Sequence, residues 1–154
     1  MRGRDGAGRE MTLDDAEELC RARGGRLTRG RRAVLAALLD AGRPLTAYEL
    51  LDRLRPEDPS ATPAGVYRSL DFLLDQGLAH RLESARAFVA CGHPDHSHAG
   101  PHAGQFLICR RCGTVVEAED EPVAAATERL GQRLGFALDQ RTVELTGVCA
   151  TCQE

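Results

Sequence analysis

The sequence contains no lysine or tryptophan and few aromatic residues of any kind. All 20 basic residues are arginine, and aromatic residues make up 4% of the 154-residue chain. Any hydrophobic core must therefore be built mainly from leucine, valine and alanine. Hydrophobic residues as a whole make up 42% of the chain, which is enough for the cores of one or two small domains.

Long apolar segments are also absent. No run approaches the roughly 20 residues needed to span a bilayer, so the sequence predicts no membrane partner. Residues 1–11 lack an apolar stretch, and we expect a flexible tail there rather than a secretory signal. Six cysteines in a chain without such a signal indicate metal ligands before disulfides, as in a cytoplasmic protein.

Charge is distributed unevenly along the chain, whose net charge is −3. Residues 1–90 hold 15 arginines and 14 acidic residues, whereas residues 91–154 hold 5 arginines and 9 acidic residues. Six arginines fall within residues 21–32, where there is no acidic residue. Such a cationic patch is either a phosphate-binding surface or a solvated charged face. The six are Arg21, Arg23, Arg26, Arg29, Arg31 and Arg32.

The first half of the chain predicts four helices and a hairpin. A threonine precedes each of four segments with helical spacing of apolar residues, and threonine is a favoured N-cap. The fourth of these helices begins with Thr62 and Pro63 and ends at Gly77. Two short alternating segments, 78–82 and 87–90, then predict a β-hairpin.

Helices followed by a hairpin are typical of a winged helix-turn-helix. The fourth helix would then lie in the major groove of double-stranded DNA. Arg68 can donate two hydrogen bonds to guanine, and Tyr67 can contact a phosphate or a thymine methyl group. The same pattern also fits a helix that only packs against the core. The exposed side of this helix would present Ala64, Gly65, Tyr67, Arg68 and Ser69.

The second half begins with a histidine-rich loop over residues 91–104, which holds four of the five histidines. It continues as a small α/β unit. Residues 105–109 and 114–118 are predicted strands, followed by a helix from Pro122 to Gly135 and by two further strands. The predicted fold class is therefore α+β. The two further strands are residues 136–138 and 142–148.

Two Cys-x-x-Cys pairs flank this unit. Two residues between cysteines let both thiolates bind one tetrahedral ion, and two such pairs form a closed zinc site. The ion would staple a unit of about 50 residues that is too small to be stable alone. A redox dithiol is the alternative, although such a pair requires a helix start. The four residues are Cys109, Cys112, Cys149 and Cys152.

A second group of donors lies around the histidine-rich loop. Mixed sulfur, nitrogen and oxygen donors of this kind suit Zn²⁺. A solvated loop of low metal specificity, a partly buried histidine and an ordinary surface glutamate are the alternatives. The group comprises His80, Cys91, His93, Asp95, His96, His98, His102 and Glu117.

Taken together, these motifs resemble the ferric uptake regulator superfamily, most closely its zinc uptake regulator branch. The resemblance covers nearly all of residues 12–152. It implies a winged-helix DNA-binding domain over 12–90, a hinge loop over 91–104 and a dimerisation domain over 105–154. The segments that carry it are 26–28, 62–77, 80–84, 105–113 and 143–149.

The resemblance also implies roles for particular residues. The four paired cysteines match a structural zinc site. Tyr67 and Arg68 match residues of the DNA-reading helix, to which Ala64, Ser69, Arg26, Arg29 and Arg31 are added as candidate contacts. The thiolate of Cys91 favours zinc over iron or manganese, and the remaining loop donors are candidates for a further metal site. The implied regulatory zinc ligands are His80, Cys91, His102 and Glu117.

The expected function is that of a zinc-responsive repressor that binds operator DNA as a homodimer and controls zinc uptake genes. One alternative is a regulator of the same family that senses iron, manganese or peroxide. Another is a zinc-buffering or interaction module that does not bind DNA. No nucleophile–base pair is evident, so we expect neither an enzyme nor an organic substrate.

Overall fold

The computed structural model describes residues 10–92, 104–139 and 141–154. These residues divide into two compact units, one ending at residue 92 and the other beginning at residue 104. Residues 1–9 of the expected tail and 93–103 of the expected hinge loop lie outside the described residues.

Four helices with threonine N-caps form most of the first unit. Each threonine hydroxyl accepts a hydrogen bond from a backbone amide three residues ahead, which satisfies an otherwise unpaired donor. Asp15 and Glu49 complete capping boxes by accepting from the N-cap amides of Thr12 and Thr46. The four predicted helices are thus confirmed: α1 (Leu13–Ala22), α2 (Arg29–Ala41), α3 (Ala47–Leu54) and α4 (Pro63–Asp75).

A leucine-rich core holds these helices together. Leu35, Leu50, Leu70 and Leu73 are all fully buried in one cluster to which each helix contributes. Each such side chain stabilises the fold by roughly 1.5–3 kcal/mol. The core of the first unit is therefore built mainly from leucine and smaller residues, as the scarcity of aromatic residues predicts.

A two-stranded antiparallel hairpin follows α4 and forms the wing. Its strands are β1 (Ala79–Leu82) and β2 (Ala87–Ala90). Leu45, just before α3, exchanges two backbone hydrogen bonds with Phe88 of β2, of 3.0 and 2.8 Å. The wing is therefore fixed beside the start of α3, and the predicted winged helix-turn-helix is confirmed.

The second unit is a three-stranded sheet with two helices. The strand order is β4 (Val115–Ala118), β3 (Gly104–Cys109), β5 (Thr142–Gly147), with β4 antiparallel and β5 parallel to the central β3. None of the helices in the described ranges is long and apolar enough to cross a membrane. The elements are β3 (Gly104–Cys109), β4 (Val115–Ala118), α5 (Glu121–Leu134), β5 (Thr142–Gly147) and α6 (Ala150–Gln153).

The strand predicted over residues 136–138 is wrong. Gly135 ends α5 in a left-handed conformation, and the amide of Phe136 donates to the carbonyl of Gly131 at 2.9 Å. The side chain of Leu138 folds back over Gly131, where a β-carbon would lie 2.6 Å from a Leu138 methyl carbon. These residues therefore terminate a helix instead of pairing in the sheet. The short helix α6 was not predicted.

Candidate metal centres and nucleic-acid interface

The two Cys-x-x-Cys pairs meet at one end of the sheet in the second unit. Cys109 is the last residue of β3, and Cys149 follows the parallel strand β5 by two residues. The amide of Arg110 donates to the carbonyl of Gly147 at 2.9 Å, which continues the pairing beyond the strands. The Sγ atoms of all four cysteines consequently lie within 4.8 Å of one another.

Tight backbone turns shape both pairs. In the first, the amide of Gly113 donates to the carbonyl of Cys109 at 2.9 Å, and Gly113 has a φ of +75°, a conformation that glycine adopts without strain. In the second, the amide of Cys152 donates to the carbonyl of Cys149 at 2.9 Å in the first turn of α6. Each turn directs both of its thiols to the same side.

The spacing of the sulfur atoms fits zinc. Four thiolates at a Zn–S distance of about 2.3 Å form a tetrahedron whose edges are about 3.8 Å. The Sγ atoms of Cys112 and Cys149 are 3.7 Å apart. The donor types, their number and this distance therefore match a closed tetrahedral zinc site, and the four sequence-predicted cysteines are brought together.

The four thiols do not ionise equally. The amide of Cys149 donates a hydrogen bond to Sγ of Cys109 at 3.4 Å, which lowers the pKa of Cys109 to about 6. Hydrogen bonding with the neighbouring thiol of Cys149 raises the pKa of Cys152 to about 12. Four crowded sulfurs thus resist full ionisation without a cation, whereas a bound metal ion deprotonates its thiol ligands.

A second pair of metal donors lies in the wing of the first unit. His80 faces Val89 across the hairpin, and Cys91 lies two positions beyond Val89, so the two are diagonal neighbours on one face. The amide of Cys91 donates to the carbonyl of Leu78 at 2.9 Å. Both side chains are buried, and their donor atoms lie within 4.8 Å of each other. The structure therefore places an imidazole and a thiol where one ion can contact both.

The remaining predicted donors fall in different places. Glu117 is half-buried on β4 of the second unit, where it pairs with Phe106 of β3. The loop residues are outside the described ranges, and their roles stay predictions. These are His93, Asp95, His96, His98 and His102.

The side of helix α4 that was predicted to contact DNA is largely exposed to solvent. Val66 and Leu70 are buried in the core, whereas Ala64, Tyr67 and Arg68 are exposed. Ser69 is half-buried, beside Gly30 of α2. Tyr48, in the first turn of α3, is another exposed aromatic residue. The sequence does not identify it as a candidate DNA contact, because the capping-box pattern around it does not indicate that its side chain is exposed.

Most arginines of segment 21–32 form contacts with other residues of the first unit. Arg21 and Arg32 form ion pairs with Glu17 at 3.6 and 2.8 Å. The guanidinium of Arg31 lies 3.6 Å from the centre of the Phe72 ring, a cation–π contact with α4. The Arg32–Glu17 pair thus joins α2 to α1, and the Arg31–Phe72 contact joins α2 to α4; the sequence did not reveal either contact.

Arg26 and Arg29 remain the most accessible arginines of this segment. Both are exposed, and within residues 10–92 neither forms an ion pair. Arg31 is half-buried and also donates to the carbonyl of Arg26 at 2.7 Å. Among the predicted patch contacts, Arg26 and Arg29 are therefore better placed than Arg31 to bind phosphate.

This chain is similar to known regulators in both sequence and structure. Residues 22–146 match the model of the ferric uptake regulator family. The chain is 41% identical to the zinc uptake regulation protein of Escherichia coli (strain K12) over 143 residues, which are 92% of this chain and 81% of that protein. It is similar to the structure of a zinc uptake regulator complexed with zinc and DNA, with a TM-score of 0.84, 40% identity and 92% coverage of each chain. The crystal structure of holo XcZur gives a TM-score of 0.82 at 45% identity, with coverage of 92% and 96%. This chain therefore belongs to the ferric uptake regulator family.

Proposed function

We propose that this protein is a zinc-responsive transcriptional repressor that binds operator DNA as a homodimer and controls zinc uptake genes. The observation that carries the proposal is the proximity of two metal donors, His80 in the wing and Cys91 just after it, and this wing directly follows the exposed reading helix α4. Similarity to a zinc uptake regulator whose structure contains zinc and DNA supports the same conclusion.

The proposal assigns two zinc ions to each chain. The structural ion is bound by the four clustered cysteines, whose spacing matches tetrahedral thiolate ligands. We propose that the regulatory ion is bound by His80 and Cys91 of the first unit, by His102 of the loop and by Glu117 of the second unit. A thiolate in this set favours zinc over iron or manganese, which prefer harder donors. The other loop donors, His93, Asp95, His96 and His98, are candidates for a further metal site.

Ligands from both units would give the regulatory zinc its control over DNA binding. We propose that the ion restricts the orientations available to the two DNA-binding units of a dimer. Only some orientations let two reading helices enter major grooves that are roughly 34–36 Å apart. Zinc and DNA binding would then favour each other reciprocally, typically by about 1–3 kcal/mol.

The surface of the second unit supports a homodimer. Leu107 of β3 and Leu145 of β5 are register partners, and both are about half exposed, at 47% and 55%. Strand β5 also lies at the edge of the sheet formed by the described residues, and a sheet edge is where a further strand can be added. An exposed apolar patch beside a sheet edge suits association with a second copy of the chain.

The proposed protein is a regulator and not an enzyme. Four thiolates fill the structural zinc site, and four donors would fill the regulatory site, so neither leaves the open position that metal catalysis needs. Because its target is chromosomal DNA, we place it in the cytoplasm.

A binding titration tests the proposal. A labelled promoter fragment of a zinc importer gene is titrated with purified protein in buffered zinc, in a zinc chelator, and in Fe²⁺ or Mn²⁺. We expect at least tenfold tighter binding with zinc than with chelator, equivalent to about 1.4 kcal/mol. Equal binding in chelator contradicts a zinc-responsive repressor, and a response to iron or manganese alone identifies a different sensor of the same family.

A further inference from the structure

The tip of the wing contains an arginine in an unfavourable backbone conformation. Arg86 has a φ of +47°, and it is the one non-glycine residue with positive φ in the described part of the chain. Its amide donates to the carbonyl of Glu83 at 3.3 Å, which closes the turn between the two strands. Glycine or asparagine normally occupies such a position, because a β-carbon crowds the backbone there.

The strained backbone of Arg86 draws attention to its side chain. Residues held in sparsely populated conformations cluster at functional sites. Arg86 is exposed, and no ion pair joins it to another residue within the described ranges. The other charges near the tip offset each other, because Arg81 forms an ion pair with Glu83 at 3.0 Å. Arg86 therefore presents a guanidinium available to an external anion.

The location of the tip points to the anion. Phe88, two residues after Arg86, is bonded to Leu45 immediately before α3. Helix α3 is the first helix of the helix-turn-helix, the element that crosses the DNA backbone when the second helix lies in the major groove. The wing is thus hydrogen-bonded, two residues from Arg86, to the segment that leads into the helix expected to cross the DNA backbone.

We propose that Arg86 binds a phosphate of the DNA backbone at the flank of the half-site read by α4. The contact rests on the proposed function, since it requires that the first unit bind DNA. A guanidinium can donate two parallel hydrogen bonds to phosphate oxygens. The contact would position the protein and strengthen binding without reading the base sequence.

The test compares Arg86→Asn, Arg86→Gly and Arg86→Lys with wild-type zinc-loaded protein. The probes are a 30-base-pair duplex selected in vitro by the wild-type protein and a random duplex of equal length. Asparagine and glycine remove the charge while tolerating the backbone conformation, so the melting temperature should stay equal or rise. We expect both variants to bind both duplexes about three- to tenfold more weakly, with a salt slope reduced by about one, and lysine to restore most of the affinity.

The control is Arg129→Gln on α5, which removes the same charge from an exposed position in the second unit. An unchanged affinity and salt slope for Arg86→Asn and Arg86→Gly overturns the contact, as does a loss no larger than that of the control. Weaker binding to the selected duplex alone means base reading and overturns the phosphate assignment. If the wild-type protein binds neither duplex with zinc, the proposed function itself fails; if it binds and the variants bind equally, only this contact fails.

Discussion

Arginine residues that look alike in the sequence have different environments in the structure. Arg31 stacks on Phe72 and Arg32 pairs with Glu17, whereas Arg68 is exposed on α4. No acidic residue lies within residues 21–32, but Glu17 of the preceding helix still reaches Arg32. Tertiary packing therefore decides which charges stay available to a ligand, and local spacing cannot predict it.

Arg68 and Arg29 should affect DNA binding in different ways. We propose that Arg68 donates two hydrogen bonds to one base, so Arg68→Ala should weaken the preference at that position by about 1–3 kcal/mol. Arg29→Ala should lower the affinity for all sequences and reduce the salt slope by about one, because a phosphate contact is sequence-independent. Binding to a panel of duplexes with single base-pair changes measures both effects. A uniform loss for Arg68→Ala would show that it contacts phosphate instead.

The cysteines are the residues whose relationship the sequence predicts best. Two short spacings place each pair on one turn, and the parallel strands β3 and β5 end at the same edge of the sheet. The hairpin likewise places His80 and Cys91 on one face through its register. A histidine-rich loop has no such periodic constraint, so which of its residues binds metal does not follow from the pattern.

At the scale of secondary-structure elements, predictions succeeded where a local signal marks a boundary. The threonine caps and the capping box at Thr46 mark helix starts through hydrogen bonds made within one turn. Residues 136–138 have no such local signal. Their apolar spacing fits a β-strand, but it fits equally well a segment that folds back and packs against the preceding helix. The contact between Leu138 and Gly131, seven residues earlier, decides the outcome.

Gly131 and Leu138 should show strong coupling in a double-mutant cycle. Alanine at position 131 favours the helix by roughly 0.5–1 kcal/mol but displaces Leu138, whose nearest carbons would lie 2.6 and 2.8 Å from the new β-carbon. We therefore expect Gly131→Ala to be neutral or destabilising in the wild-type protein. In a Leu138→Ala background it should stabilise by about 1 kcal/mol, because the obstruction is gone. Thermal unfolding of the zinc-loaded proteins measures the cycle, and equal effects in both backgrounds would exclude this packing.

At the scale of the whole molecule, we propose that a regulatory zinc ion couples the two units. The two units are stabilised in different ways. The first unit has a leucine-rich core, and the second has a small sheet with a four-cysteine cluster. A metal ion bound by cysteines at the ends of β3 and β5 would stabilise such a small sheet, since below about 70 residues a hydrophobic core alone is marginal. The proposed regulatory zinc is a separate ion, and its loss should leave both units folded.

The most direct test of this account is the zinc dependence of DNA affinity in Cys91→Ser, with Cys20→Ala as a control that removes another buried cysteine of the same core. In the wild-type protein and in Cys20→Ala, zinc should raise the affinity for the selected duplex at least tenfold. Cys91→Ser should keep one zinc ion per chain and its folded circular-dichroism spectrum, yet bind the duplex weakly whether or not further zinc is added. A Cys91→Ser protein that responds to zinc as the wild type does would contradict the account.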